Sequence, residues 1–172
     1  MKFKVVVVLV FFSLVILHSC EPIQTIPARP FIDYTSFTVF DTTDLLGNTV
    51  KGGRLKFYFE DGDGDLGLPV PVEDVNFDSV NLFLRLYRMN NGVLAPANDN
   101  DPLKPSGFRI PFMERTGQNR ILTGNISVDF MYLFTTEEDT IKYVFYVKDR
   151  ADNLSNIDST STLPLFYNGI YN

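Results

Sequence analysis

An all-β fold of about seven strands in two packed antiparallel sheets is what this sequence predicts, and three observations carry the prediction. Apolar residues recur at every second position in segment after segment, turn-forming residues separate those segments, and no stretch after residue 30 keeps the period of an amphipathic helix. The 16 Phe and 8 Tyr also supply the bulky apolar groups that fill the space between two sheets.

The N-terminus reads as an address. Lys2 and Lys4 precede an uncharged apolar run, Val5–Leu17. At about 13 residues this run is shorter than the roughly 20 that span a bilayer as a helix, and it fits the apolar core of a secretory signal. The run closes on Leu17-His18-Ser19-Cys20, which resembles the lipobox of bacterial lipoproteins, with His18 where a small or β-branched residue is commoner. The resemblance implies a signal peptide over residues 1–19, lipidation of the Cys20 thiol, and attachment to the bacterial outer membrane. It also accounts for a lone cysteine in an exported chain. Residues 20–30 contain Pro22, Pro27 and Pro30, so they form an extended tether. At about 3.1 Å per residue it reaches roughly 30 Å.

Residues 31–172 suffice for one domain with a real core. Loss of Lys2 and Lys4 with the signal lowers Lys+Arg from 15 to 13 against 21 Asp+Glu, and the formal charge moves from −6 to −8. A surface this acidic repels nucleic acid and anionic lipid, so membrane contact is expected through the lipid anchor alone. His18 is the single histidine and leaves with the signal. Serine–histidine and cysteine–histidine nucleophiles are therefore excluded, as are the usual zinc sites. A glycan hydrolase needs only two acids, and Glu60, Glu73 and Glu114 are its candidates. With no Trp to form a sugar platform, the chain is read as non-enzymatic.

The strands follow in order. Phe31–Phe40 is the first. In Arg54–Glu60, Leu55, Phe57 and Phe59 alternate with Lys56, Tyr58 and Glu60, and in Ser79–Arg88 the residues Val80, Leu82, Leu84 and Leu86 alternate with Asn81, Phe83, Arg85 and Tyr87. Gly107–Glu114 is the next expected strand. In Leu122–Leu133, Leu122, Ile126, Val128 and Phe130 oppose Asn125, Ser127 and Asp129. Thr140–Asp149 and Ser159–Tyr167 complete the set. Turns are expected at Leu46–Asn48, Asn90–Gly92, Thr116–Asn119 and Asp152–Asn153. Gly67–Asp78, with Pro69 and Pro71, is not an interior strand, and Ala95–Gly107 is a long polar loop.

Tyr143–Asn156 resembles the penultimate strand and following loop of bacterial immunoglobulin-like and fibronectin type III-like domains, where an Asp-x-Ala-Gly-Asn-x-Ser pattern recurs. Asp149, Ala151, Asn153 and Ser155 match it, and Asp152 stands in the glycine position. Tyr143 falls where such folds place a corner tyrosine. Phe59–Gly67 resembles a Gly-Asp loop of uncharacterised Bacteroidota-type surface lipoproteins. Together these resemblances imply an immunoglobulin-like antiparallel β-sandwich at the bacterial surface.

Within that fold the loop Asp61-Gly-Asp63-Gly-Asp65 becomes a candidate calcium site. Alternate carboxylates on a turning backbone can converge, and calcium takes six to eight oxygens. The series matches the first, third and fifth positions of an EF-hand, but Leu66 and Val72 occupy the sixth and twelfth, so further ligands must come from elsewhere. If Arg54–Glu60 and Ser79–Arg88 are strands B and C, the F–G loop emerges at the same end and can offer Asp149, Asp152 and the Asn153 carbonyl. Two other readings stay open: a solvated Asp-Gly turn, and a loop neutralised by Lys148 or Arg150.

A separate pattern places Asp before Ser or Thr and a methyl-bearing residue, at Asp41, Asp78, Asp139 and Asp158. It resembles the O-glycosylation motif of Bacteroidota-type secreted proteins, with Thr42, Ser79, Thr140 and Ser159 as acceptors. The whole reads as a lipid-anchored binding or structural module whose partner is another outer-membrane protein or a glycan. An accessory subunit of an outer-membrane complex is the alternative.

Overall fold

A computed structural model describes residues 26–70, 80–114 and 120–172. Cys20, Glu73, Ser79 and the expected Thr116–Asn119 turn lie outside the described residues. Among the described residues nine strands run in chain order: β1 (Phe31–Thr43), β2 (Thr49–Asp61), β3 (Leu82–Asn90), β4 (Val93–Pro96), β5 (Leu122–Tyr132), β6 (Thr140–Val147), β7 (Asp158–Ser159), β8 (Leu163–Pro164) and β9 (Gly169–Tyr171). They form two antiparallel sheets, one ordered β5-β2-β1-β9, the other β4-β3-β6-β7 with β8 also on β6. The all-β sandwich expected from the alternation is present.

The long hairpin β1–β2 sets the geometry of one sheet. Along β2, Leu55, Phe57 and Phe59 face the core, and the same parity carries Asp61 inward at the strand's end. β1 changes phase midway: Ile32 is buried, and so are Phe37 and Val39, an odd number of residues later. A register shift between Tyr34 and Ser36 leaves Thr35 as the extra residue of a β-bulge, which restores the apolar side to the core.

Rings from both sheets interdigitate in the middle. Phe57 meets Phe145 at 5.4 Å between centroids, and Phe130 meets Tyr143 at 5.2 Å. The Tyr143 hydroxyl lies 3.1 Å from that of Tyr132 and donates to the Leu103 carbonyl at 3.3 Å. The expected corner tyrosine thus ties the core to the 97–107 loop. That loop is more than polar decoration, since Leu103 is buried beneath it.

Three strand expectations are corrected. Gly107–Glu114 forms only isolated bridges, Leu82 to Phe108 and Leu68 to Pro111, because Gly107 turns at φ 96 and Pro111 has no amide to donate. Ser159–Tyr167 is broken into short pieces around Pro164, and the chain then crosses to pair β9 with β1. The third strand starts at Leu82, with the described residues Val80 and Asn81 ahead of it, and Asn81, expected outward, is fully buried. Its Oδ1 accepts the Ile110 amide at 2.6 Å and its own amide donates to Phe108 O at 3.0 Å. The turn at Asn91-Gly92 has both residues at positive φ, 50 and 79, as a tight hairpin requires.

The pairings Phe31 with Glu60, Asp61 with Leu122, and Leu82 with Val147 place the β2–β3 and β6–β7 connections at one end. The β1–β2 and β5–β6 turns lie at the other.

Candidate metal centre

Asp61 ends β2 on its inward face, so its carboxylate enters a site closed to water and is 0% exposed. Its Oδ2 accepts the Leu66 amide at 2.6 Å, which folds the loop back over the strand end. Gly64 and Gly67, at φ 67 and 99, provide the left-handed turns that only glycine adopts cheaply. The result brings one carboxylate oxygen each from Asp61, Asp63 and Asp65 within 4.8 Å of one another. The Oδ1 atoms of all three are buried and have no hydrogen-bond partner.

An arrangement of this kind is costly as it stands. Like charges near 5 Å repel by up to about 3 kcal/mol per pair before solvent screening. Burial, above all, raises the Asp61 pKa; the Leu66 amide opposes this, and the Asp63 carboxyl, close enough to share a proton, adds to it. Asp65 is pushed up to about 6, first by burial and then by the charges of Asp149, Asp63 and Asp61. A cation held among the three oxygens reverses both directions.

The β6–β7 connection, expected from the sequence as an F–G loop, does reach the acidic loop. Arg150 donates to the Gly67 carbonyl at 2.7 Å and lies over the Phe112 ring at 5.0 Å. Asp149 is buried and its charge reaches Asp65. Its two oxygens take the Asn153 amide at 2.8 Å and the Asn153 Nδ2 at 2.9 Å, while the Asn153 carbonyl takes the Asp149 amide at 3.1 Å. Asp149 and Asn153 therefore lock each other, with Asp149 backing the cluster as a neighbouring charge. Asp152 is outside it: its carboxylate is 80% exposed and pairs with Lys148 at 2.9 Å. The φ of 65 at Asp152 explains why the resembled pattern carries glycine there, and that turn swings the side chain into solvent. The expected five carboxylates reduce to three converging ones with a fourth behind them.

The alternatives read from sequence fare differently. A solvated turn does not bury Asp61 completely. In a salt-bridged loop the three Oδ1 atoms would be hydrogen-bonded, and they are not; the Arg150 charge reaches Asp65 and lowers its pKa, but less than burial and the neighbouring acids raise it. The cluster can hold a metal ion. Its donors are all hard oxygens, and two ligands of one calcium at 2.3–2.6 Å stand at most about 5 Å apart.

Sequence reasoning missed the segment that abuts the cluster from the N-terminal side. The Gly62 amide donates to the Pro27 carbonyl at 3.0 Å, and a Cβ at Gly62 would collide with the Ile26 and Pro27 carbonyl oxygens. Gly62 between two aspartates was the one available signal.

The other candidate residues sit elsewhere. Thr42, Thr140 and Ser159 are half-buried on paired strands. Their preceding acids are engaged: Asp41 with Lys51 at 2.7 Å, Asp139 with Arg88 at 2.6 Å, and Asp158 with the Tyr34 amide. Glu60 accepts the Tyr58 hydroxyl at 3.0 Å, and Glu114 is exposed. A cavity of about 590 Å³ opens at the far end, lined by Asp41, Lys51, Arg88, Tyr132, Phe134 and Asp139 among others, and neither glutamate lines it. No protein-family model, curated protein or solved structure matches this chain.

Proposed function

We propose that this chain is a lipid-anchored, non-catalytic binding or structural module of the bacterial outer membrane, an immunoglobulin-like sandwich whose tether-side end is held rigid by calcium. The observation that carries the calcium reading is the set of three buried, partnerless Oδ1 atoms of Asp61, Asp63 and Asp65. The strand order supports the immunoglobulin-like reading: β5-β2-β1, with β9 added beside β1, against β4-β3-β6-β7 matches E-B-A against C′-C-F-G apart from the extra edge strand β9. The lipobox at Leu17–Cys20 supports the anchor.

Calcium would be held by Asp61, Asp63 and Asp65, with Asp149 adding to the field that attracts it. It supplies no reaction here; it cancels repulsion and fixes the loop on which the F–G connection rests. The role as an accessory subunit of a membrane complex draws on a separate observation. Leu45, Leu46 and Phe134, 103%, 87% and 82% exposed, crowd the end away from the tether, which suits a protein partner better than a glycan.

Thermal melting with calcium against EGTA tests the cation reading. Calcium at a hundred-fold its Kd adds about 2.7 kcal/mol by mass action, and Tm rises by roughly 5–10 °C for a domain of this size. An unchanged Tm together with no calorimetric heat at millimolar calcium refutes it.

A further inference from the structure

The segment Ile26–Arg29 is seated on the domain at two points, and one of them is the acidic loop. Pro27 O accepts the Gly62 amide at 3.0 Å, and Gly62 is the single residue between two of the three converging aspartates. The absence of a side chain at Gly62 is what admits the Ile26 and Pro27 carbonyls. At the second point the Arg29 guanidinium donates to the carbonyls of Leu154 and Ser155, on the strand-end side of the F–G loop. The same F–G loop reaches the acidic loop through Arg150 and Gly67 O. Tether, acidic loop and F–G loop thus form a closed ring of contacts around the cluster.

We propose that a divalent cation in the Asp61–Asp63–Asp65 site acts as a clasp, locking Ile26–Arg29 onto the sandwich and so fixing how the domain stands on its N-terminal chain. The inference rests on the cation reading above. Fixing the carboxylates of Asp61 and Asp63 fixes both peptide planes of Gly62, and with them the amide that holds Pro27. Without the cation, repulsion among the three acids drives the loop apart, and the Gly62–Pro27 bond is the first contact beyond it to be lost. The coupling is reciprocal: seating the tether must strengthen cation binding by the same factor that the cation strengthens seating.

The test uses a spin label at an Ala28→Cys substitution, combined with Cys20→Ser so that the label has one target, in the chain from residue 20 onward. Ala28 is exposed, so the label does not disturb packing. Immobilisation in calcium and a mobile spectrum in EGTA are expected. Arg29→Ala, which touches no ligand, should leave the label mobile in calcium and weaken calcium binding by roughly five-fold or more in calorimetry. Calcium binding with an identical spectrum in both buffers overturns the clasp alone, as does a mobile label in Arg29→Ala with unchanged affinity. No calcium binding at all removes the cation reading and the clasp together.

Discussion

At the scale of single residues, Asp61 decides the behaviour of the loop, because it is a fully buried carboxylate with one oxygen satisfied and the other not. Asp61→Asn keeps an oxygen for the Leu66 amide and removes the charge. In EGTA this variant should melt higher than the parent, since an uncompensated buried group costs about 1–3 kcal/mol. In calcium it should show none of the parent's gain, so the order of the two Tm values inverts with the buffer. Asp65 gives the pH dependence of the calcium-free protein. Its folded pKa, about 6, lies above the unfolded value of 3.8, so protonation stabilises the folded state. That stabilisation is complete below pH 3.8 and is lost as pH rises through 6. Melting in EGTA between pH 7 and 5 should therefore show this group's contribution to stability rising as pH falls. Saturating calcium should cancel that gain, because the cation takes the place of the proton.

At the scale of elements, the alternation in Leu55–Phe59 and Leu122–Phe130 was enough to place β2 and β5 and their buried faces, and the segment Thr140–Asp149 was recognised as the strand that is β6. It worked because a half-buried strand has one period and two faces. Carried two residues further, the same parity puts Asp61 in the core, so the key to the site was legible in the strand and not in the Asp-Gly loop. The bulge at Thr35 was not legible, since it depends on which residue opposes which across two strands. Nor was the swing of Asp152 into solvent, which follows from one backbone torsion. The convergence of the F–G loop on the acids was reached from fold topology, and the atoms it uses, Arg150 and Gly67 O, required coordinates. The glycine pair in β2 makes an element-level test. A Cβ on Gly53 would lie 2.5 Å from the Phe37 ring, which is locked in the core, whereas one on Gly52 would meet the half-exposed Phe40 ring at 2.5 Å. Gly53→Ala should cost about 1–3 kcal/mol by overpacking. Gly52→Ala should cost less, because Phe40 can swing outward, and urea melts of the two variants compare them directly.

At the scale of the whole molecule, the three converging acids mark one end, where Val70, Leu154 and Ile157 are also exposed, and the most exposed apolar side chains mark the other. The tether joins beside the three acids, and at the far end stand Leu45, Leu46 and Phe134, with the Lys51–Asp41 and Arg88–Asp139 pairs lining the cavity between. If the chain is attached through Cys20 as proposed, the end bearing the three acids lies nearer the membrane and the end bearing Leu45, Leu46 and Phe134 lies away from it; Cys20→Ser should then move the protein from the membrane fraction to the soluble one. If the apolar end is the face that meets a protein partner, its side chains matter for association and not for folding. Leu45 and Phe134 bury little in the isolated chain, so Leu45→Asp with Phe134→Asp should shift stability by no more than about 0.5 kcal/mol. In the assembled state the same two charges would have to be desolvated against apolar surface, at a cost of several kcal/mol. Pull-down from native membranes with the double variant should therefore lose a partner that the parent retains, while both proteins melt together. Retention of that partner at equal stoichiometry would assign binding to another face of the sandwich.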